Sequence, residues 1–541
     1  MKASGLRWIA ACGFLFSAPL AAAATLSVGS GQTYATIAAA MAKVKPGDVV
    51  EVQGNQTYTG TVTFGPESGG QVGQPVTVRG VAVNGHLPVL SGIGPGQWNV
   101  MVVLLNANHF VFEGFEIVGD ANVDHQCVVH KANDVTVRGV VVHGCAGQGL
   151  MGTDSDSGSL TLEYSEFYQN GNSMYGHQIY MATDETMYPG SVFRMQYCYV
   201  HDGAGGNNVK SRSERNEIYF NWIEAALYHE LDLIGPDGQD EALAREDSDV
   251  VGNVFVKTSE WRIARIGGDG TGNSAGRYRF ANNTMVLSSS SSIAIGLQET
   301  VQTLEMYNNI IYAQTGKSYK VYDQTDPSGA SPTFYGSNNW ISTGMQVPPT
   351  WTGTITGTAP GWVNASAYDY RPADGSPLID AGTSNTAASG ALAFPNPLLL
   401  PDHLPPMRQS IATAESRPLV GAIDIGALEW GAATSGTGGG GQGGSSSGGA
   451  GGTVASGGTS TSSGTVSTGG RGGTTRAGGR GGSSATGGTA NAGDTGAAGT
   501  DRGGCSCRLM GGRTSGQDCW PVAFVVALVV AAGRRRSRGA A

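Results

Sequence analysis

Short runs that alternate apolar and polar residues recur along the chain, and each closes on a turn-forming residue. The runs VFEG, TVRG, TLEY, FRMQ, EIYFN, DVVGN, RFANN, LEMYNN and FYGSNN end at Gly114, Gly139, Tyr164, Gln196, Asn221, Asn253, Asn283, Asn309 and Asn339. Successive gaps are 25, 25, 32, 25, 32, 30, 26 and 30 residues. Alternation with a period of two marks strands, and one strand-and-turn unit every few tens of residues marks a solenoid. A propeller needs a more regular period, and helical repeats need a 3.6-residue pattern that these runs lack. Asn suits the bend because it tolerates the left-handed region, and stacked Asn side chains can bond one another as a ladder. The pattern predicts an all-β chain, a right-handed parallel β-helix.

Each coil also predicts a further strand after its turn. The segments HQIYMA (177–182), NNVKSR (207–212), HELDLI (229–234), WRIARI (261–266) and SSIAIG (291–296) align with Ile179, Val209, Leu231, Ile263 and Ile293 in one column. Strand side chains alternate faces. If that column points inward, the outward face carries Gln178 and Tyr180, then Asn208, Lys210 and Arg212, then Glu230 and Asp232, then Arg262. Neighbouring coils lie about 4.8 Å apart, so Lys210 sits between Tyr180 and Asp232. At the start of the chain, Ile37, Ala40, Met41 and Val44 share a helical face, and Pro46-Gly47-Asp48 stops the helix. This short helix is the natural cap over the open first coil.

Composition confines the solenoid to residues 25–430. Residues 1–24 read as a signal peptide, with Lys2 and Arg7 before an apolar run and Ala22-Ala23-Ala24 at the cleavage site. Residues 431–504 are almost all Gly, Ser, Thr and Ala, a disordered tether that has too little apolar surface to fold. The net charge of -10, with no basic stripe, speaks against nucleic-acid partners. Of the cysteines between signal peptide and tether, Cys127, Cys145 and Cys198, a Cys127–Cys145 bond is one pairing that export would allow.

The last segment, 505–541, opens with Cys505 and Cys507. It holds the apolar run Trp520 to Ala532 and ends in Arg534, Arg535, Arg536 and Arg538. Thirteen apolar residues are short for a membrane helix, and the arginines form a cytoplasmic stop. This order resembles the C-terminal sorting domain of myxobacterial surface proteins. The resemblance implies a tail cut by a sorting protease near Cys505 and Cys507, and a protein displayed on the cell surface, associated with the outer membrane, or released. A plain C-terminal membrane anchor is the other reading of the same residues.

The opening helix with its first strands, together with GSPLIDAGTSN (375–385) and GAIDIGALEW (421–430), resembles the pectate-lyase-like superfamily. GHQIYM followed by NNVKSRSERNEIYFN is similar, more distantly, to the polysaccharide lyases of this fold. That likeness implies a lysine base at Lys210 with an arginine nearby at Arg212, and an acidic polysaccharide as partner. Its calcium cluster is met here only by Glu230 and Asp232, with Asp202 in reach, so Ca²⁺ is the cofactor expected there. The chemistry would be β-elimination on a uronate, with Tyr180 or His177 protonating the leaving oxygen and Asn208, Gln178, Arg262 and Trp261 holding the sugar. His201 and His229 fall in the same coils as His177. Two further readings stand beside this lyase or epimerase. Glu230 and Asp232 could form an inverting hydrolase pair. Alternatively, Trp222, Trp261, Trp340 and Tyr180 could stack on sugars in a non-catalytic adhesin.

Overall fold

The computed structural model describes residues 23–92, 101–120, 126–235, 246–269, 274–314, 319–324, 332–386 and 397–432. The expected signal peptide up to residue 22, most of the expected tether and the expected sorting segment with Cys505 and Cys507 lie outside the described residues. Among the described residues no helix is long and apolar enough to cross a membrane.

Three long parallel sheets, here A, B and C, run the length of the body with 12, 12 and 10 strands. Each coil contributes one strand to A, then one to B and one to C. Within the coils a strand therefore bonds to its counterpart one coil away and not to its sequence neighbour. Among the described residues, strands consecutive in sequence pair only at the two ends, Thr25–Val28 with Val49–Gln53 and Trp340–Ser342 with Ile355–Gly357, and in a small antiparallel pair, Trp362–Asn364 with Asp369–Pro372. This is a parallel β-helix, right-handed as parallel crossovers are. Its interior is filled by stacked columns: Val137, Leu162, Met195, Ile218, Val250 and Phe280 are consecutive register partners in sheet A, all fully buried. The helix Ile37–Met41 covers the first coil through Ile37, Ala40 and Met41, and Thr36 caps its start by accepting from the Ala39 N–H. Cys127 and Cys145 form a disulfide inside one coil, and Cys198 is a buried thiol.

The bend between sheets A and B differs in one respect from the sequence expectation. Two adjacent columns exist where one was read. The left-handed residue is Gly114, Gly139, Tyr164, Tyr197, Phe220, Gly252, Asn282, Asn308 or Asn338, each at positive φ. The ladder position follows it, so the true column runs Phe115, Val140, Ser165, Cys198, Asn221, Asn253, Asn283, Asn309 and Asn339. Gln196 pairs with Tyr219, two places before the ladder. The ladder asparagines serve hydrogen bonding and not the bend itself. Asn221, Asn253, Asn283 and Asn309 each donate Nδ2 to the Oδ1 of the next, at 3.0, 3.0, 2.9 and 3.1 Å. The same side chains also bond Met195, Ile218, Val250 and Phe280 carbonyls, so a bend that would bury bare backbone groups is satisfied from within.

The left-handed asparagines have a second task. Asn282 donates to the Asp424 carbonyl, Asn308 to Thr383 and Asn338 to Ala381, which docks the C-terminal segment on this corner. The segments 375–385 and 421–430 lock together there, because Asp424 accepts from the Asp380 N–H at 2.7 Å and Asp380 accepts from the Ala422 N–H at 2.7 Å. The segment packs Tyr370, Leu404, Ala427 and Leu428 over Trp222, Val254 and Val286 of sheet B. Trp222 and Trp340 are therefore fully buried beneath it and offer no face to a sugar.

Candidate functional site

The outward face of sheet C gathers the ionisable groups. Strands Ile179–Ala182, Val209–Arg212, Leu231–Ile234 and Ala264–Gly267 are successive partners. Their outward row reads Tyr180, Lys210, Asp232, Arg265 and then Gly296 and Asp323. The inward column is Ile179, Val209, Leu231, Ala264 and Ile295. This corrects the alignment at Ile263 and Ile293 by one and two residues, and it puts Arg265, not Arg262, beside Asp232. Arg262 lies before its strand and reaches over Gly296 to Asp323 at 3.2 Å. A Cβ at position 296 would collide with the Arg262 side chain, so the glycine is what lets it cross.

Lys210 occupies the centre. It is 9% exposed, and among the described residues its ammonium makes no ion pair or hydrogen bond. It faces Tyr180, whose ring centroid lies 5.5 Å from Nζ. Burial lowers its pKa, and Arg212 and Arg265 push the same way, against the raising effect of Asp232 and Asp269. Arg212 is held two residues along the strand. It donates to Asp269 Oδ2 at 2.7 Å and to the Gly235 carbonyl at 2.6 Å. Asp232 is fully buried and accepts Nε and Nη2 of Arg265 at 2.6 and 2.7 Å, with a third bond from Asn207 at 2.8 Å. Burial alone would raise its pKa, but Arg265 and Lys210 outweigh it and hold the carboxylate ionised.

Two histidines close the turn side. His177 stacks on Tyr180 with centroids 5.8 Å apart, and its Nδ1 accepts the Asn207 N–H at 2.9 Å. Its proton therefore sits on Nε2. Burial first, and the nearby Lys210 charge second, take its pKa down to about 3. His229 donates Nδ1 to the Arg262 carbonyl at 3.2 Å and is likewise brought to about 3 by burial. Trp261 stands edge-on to His229 and is half-buried. His201 does not join them. It lies on sheet B, bonded to Glu166 at 3.1 Å and to Asp202 at 2.8 Å.

No family model matches the sequence, and none of the curated proteins matches it. Among solved structures, the chain is similar to pectate lyase Pel9A at 16% identity, over 75% of this chain and 96% of that one, with a TM-score of 0.48. It is also similar to an alginate lyase from Paenibacillus at 16% identity, over 62% and 98%, with a TM-score of 0.36. A polysaccharide lyase from Pseudopedobacter saltans gives 11% identity over 62% and 91%, with a TM-score of 0.38. The chemistry of this site is accordingly argued from its own residues.

Three expected ligands prove to lie elsewhere. Gln178, Asn208 and Glu230 do not face outward, because the chain turns between sheets B and C and folds them into a buried network. Asn208 donates to Glu230 at 2.7 Å, and Gln178 donates to the Phe167 carbonyl at 3.1 Å. Lys257 ends that network with an ion pair to Glu230 at 3.1 Å, both side chains fully buried. A calcium ion needs about six to eight oxygen ligands around one point. The donor set does not fit one. Glu230 is closed by Lys257, Asn208 and the Ala226 N–H, and Asp232 by Arg265 and Asn207. Among the described residues no group of three or more His, Cys, Asp or Glu is placed for a metal. The same contacts engage both carboxylates that the paired-carboxylate hydrolase reading would use.

Sequence reasoning missed Arg265, Asp269 and Lys257. Arg262 and Arg265 are three apart, so strict alternation admits only one of them to the outward row. The hydrophobic pattern of WRIARI fits either choice, and the partner strand decides. No local signal marks Asp269 or Lys257.

Proposed function

We propose that this is an exported, surface-displayed protein acting on uronate-containing polysaccharide by β-elimination or epimerisation, with Lys210 as the base. The observation that carries this is Lys210 itself: a desolvated amine without an ion pair among the described residues, between Tyr180 and Asp232 in its row, with Arg212 two residues along its strand and Arg265 two coils away. Proton abstraction needs a neutral amine, and a free lysine has a pKa of about 10.4. Desolvation and the two guanidiniums favour the neutral form. As the proton at C5 leaves, negative charge builds on the sugar carboxylate, and fixed cations beside it lower that barrier. The leaving oxygen needs a proton, and the Tyr180 hydroxyl, one coil from Lys210 on the side away from Arg265, would supply it, with the neutral His177 ring stacked against it. An epimerase would share the first step and return the proton to the opposite face.

The polymer would lie along the stacked coils, in line with the row Tyr180, Lys210, Asp232, Arg265. The test is absorbance near 235 nm, where unsaturated uronates absorb, with the full chain and a panel of uronate polymers, with and without calcium. A rise in wild type that falls by about 10²- to 10⁴-fold in Lys210→Ala is expected, the range for loss of a general base. Silence on every polymer, together with no C5 inversion by NMR, would sink this reading. Retained glycan binding in that case would favour the adhesin.

A further inference from the structure

Resting on the uronate reading above, we propose that the corner between sheets B and C is part of the same binding surface. Tyr175 on one side and the pair Tyr228 and Trp261 on the other are stacking platforms for the sugar rings that flank the ring at Lys210. The turn 203–206 between them is the gap through which that ring reaches the lysine. The turns at this corner lead directly into the strands of the outward row. Residues 171–176 precede Tyr180, 203–206 precede Lys210, 225–228 precede Asp232 and 258–261 precede Arg265. Large apolar side chains stand open on three of these turns. Tyr175 is 58% exposed beside Met174, Leu227 is 46% exposed beside the partly open Tyr228, and Trp261 is partly open. The turns one coil beyond on either side, 144–149 and 288–292, carry no ring. Exposed apolar groups gathered in one place mark a contact surface. Here they border the ionisable row and skip the coil of Lys210.

Packing keeps the gap flat. A Cβ at Gly205 would come within 2.6 Å of the Ser173 carbonyl oxygen, and one at Gly206, which has positive φ, would strike His177 and the Gly176 carbonyl. The glycines let this turn lie down on its neighbour, and Ala204 carries the only Cβ in it. The platforms on either side are held in place. The Tyr228 N–H donates to the Gly206 carbonyl at 2.9 Å, and the buried Lys257 ammonium donates to the Tyr228 carbonyl and, at 3.0 Å, to that of Ala226. The Gln148 side-chain amide donates to the Tyr175 carbonyl at 3.0 Å. The Tyr228 and Trp261 rings lie 5.0 Å apart, and Trp261 meets His229 at 5.8 Å, which ties the pair to the coil of Asp232. A pyranose ring has an apolar C–H face, and a rigid aromatic side chain covers such a face at small entropic cost. This contact needs no charge on the ligand, so it sets where the chain lies and not which group reacts.

The experiment is calorimetry on the full chain with uronate hexamers (galacturonate, mannuronate and guluronate), using Lys210→Ala as the background for any hexamer that is consumed. Thermal melts check that each variant is folded. Wild type should bind at least one hexamer. Trp261→Leu and Tyr228→Leu should each weaken that binding by about 5- to 30-fold, the range for removal of an aromatic anchor, whereas Trp261→Phe should keep most of it. Tyr175→Leu, on the other flank and at an exposed position, carries the test if Trp261→Leu fails to fold. Its effect and that of Trp261→Leu should multiply, because positions about 14 Å apart with no shared partner add in free energy. Ala204→Trp removes no contact but fills the gap, and it should weaken binding as well. Binding indifferent to both Trp261→Leu and Tyr175→Leu, Trp261→Phe no better than Trp261→Leu, full binding in Ala204→Trp, or no hexamer binding at all would each overturn the proposal. Binding as expected, with neither unsaturated uronate nor C5 inversion formed, would remove the reaction and leave the platforms standing. A reaction that depends on Lys210, with binding that ignores the platforms, would do the reverse.

Discussion

The outward faces of sheets A and C are built by the same stacking rule and reach opposite ends. On sheet A most neighbours in a row differ in sign, and the like-signed neighbours Glu217 and Asp249 are bridged by Arg215. Glu113 lies between Arg79 and Arg138, and Arg138 bonds onward to Glu163 at 2.5 Å. Further along, Asp249 holds Arg215 at 2.5 Å and the Arg279 fork at 2.6 and 2.7 Å. Every one of these charges has a partner in the next coil. On sheet C the same spacing places Lys210 between a tyrosine and an aspartate already bonded to Arg265. Where signs alternate, stacking makes structure. Where one charge is left over among the described residues, in a nearly closed setting, lies the site proposed for a ligand.

The contrast can be broken at its strongest point. Asp249→Ala would leave the buried guanidiniums of Arg215 and Arg279 without their shared partner and should cost about 3–5 kcal/mol. Lys210→Met removes a desolvated charge that has no ion-pair partner among the described residues and should leave stability within about 1 kcal/mol of wild type, or above it. Urea denaturation midpoints with unchanged m-values decide both; a large loss at Lys210 would mean that it is structural.

A second effect is the pH dependence contributed by the two histidines beside sheet C. His177 and His229 have folded pKa values near 3 against an ordinary 6.5. Below 6.5 the unfolded chain binds the protons first, so stability should fall as pH drops from about 6.5 towards 3. His177→Gln should flatten part of that fall, measured as the difference between wild-type and variant melting temperatures across the window. For activity the sign is reversed in origin but not in direction. The lowered pKa of Lys210 means that the rate should rise with pH and level off below the ordinary lysine value.

The smallest effect is expected at the open end of the sheet A ladder. Arg79 is about half exposed, and its pair with Glu113 meets water. Arg79→Ala should cost less than about 1 kcal/mol, because solvent screens an exposed pair. A cost equal to that of Asp249→Ala would show that pairing, and not burial, sets the energy of these rows.

Much of this was legible in the residues. Alternation and period named the coil. The lysine and its neighbours on either side, Tyr180 and Asp232, came out in the right row because those strands share a length. The helix over the first coil was found through Ile37, Ala40 and Met41. The errors of register share an origin, apart from Gln178, Asn208 and Glu230, which the turn between sheets B and C folds inward. Gln196 was placed on the Asn column, and Ile263 on the inward column, because alternation fixes the face of a residue only relative to its own strand. A slip of one residue exchanges the faces, and local pattern does not forbid it.

The sequence by itself therefore determined that strands exist, how often they recur, where the chain bends and which residue types reach the long faces. Those follow from short-range forces: side-chain alternation, the left-handed tolerance of Gly and Asn, and the demand that a buried bend satisfy its own backbone. Only the tertiary structure decided which charges meet. Arg265 joins Asp232, Lys257 closes Glu230, Asp269 clamps Arg212 and the C-terminal segment buries Trp222. The partners in each of these pairs lie about 25 to 150 residues apart. Electrostatic energy depends on distance in space and on the water excluded between groups, and neither is written in the spacing along the chain.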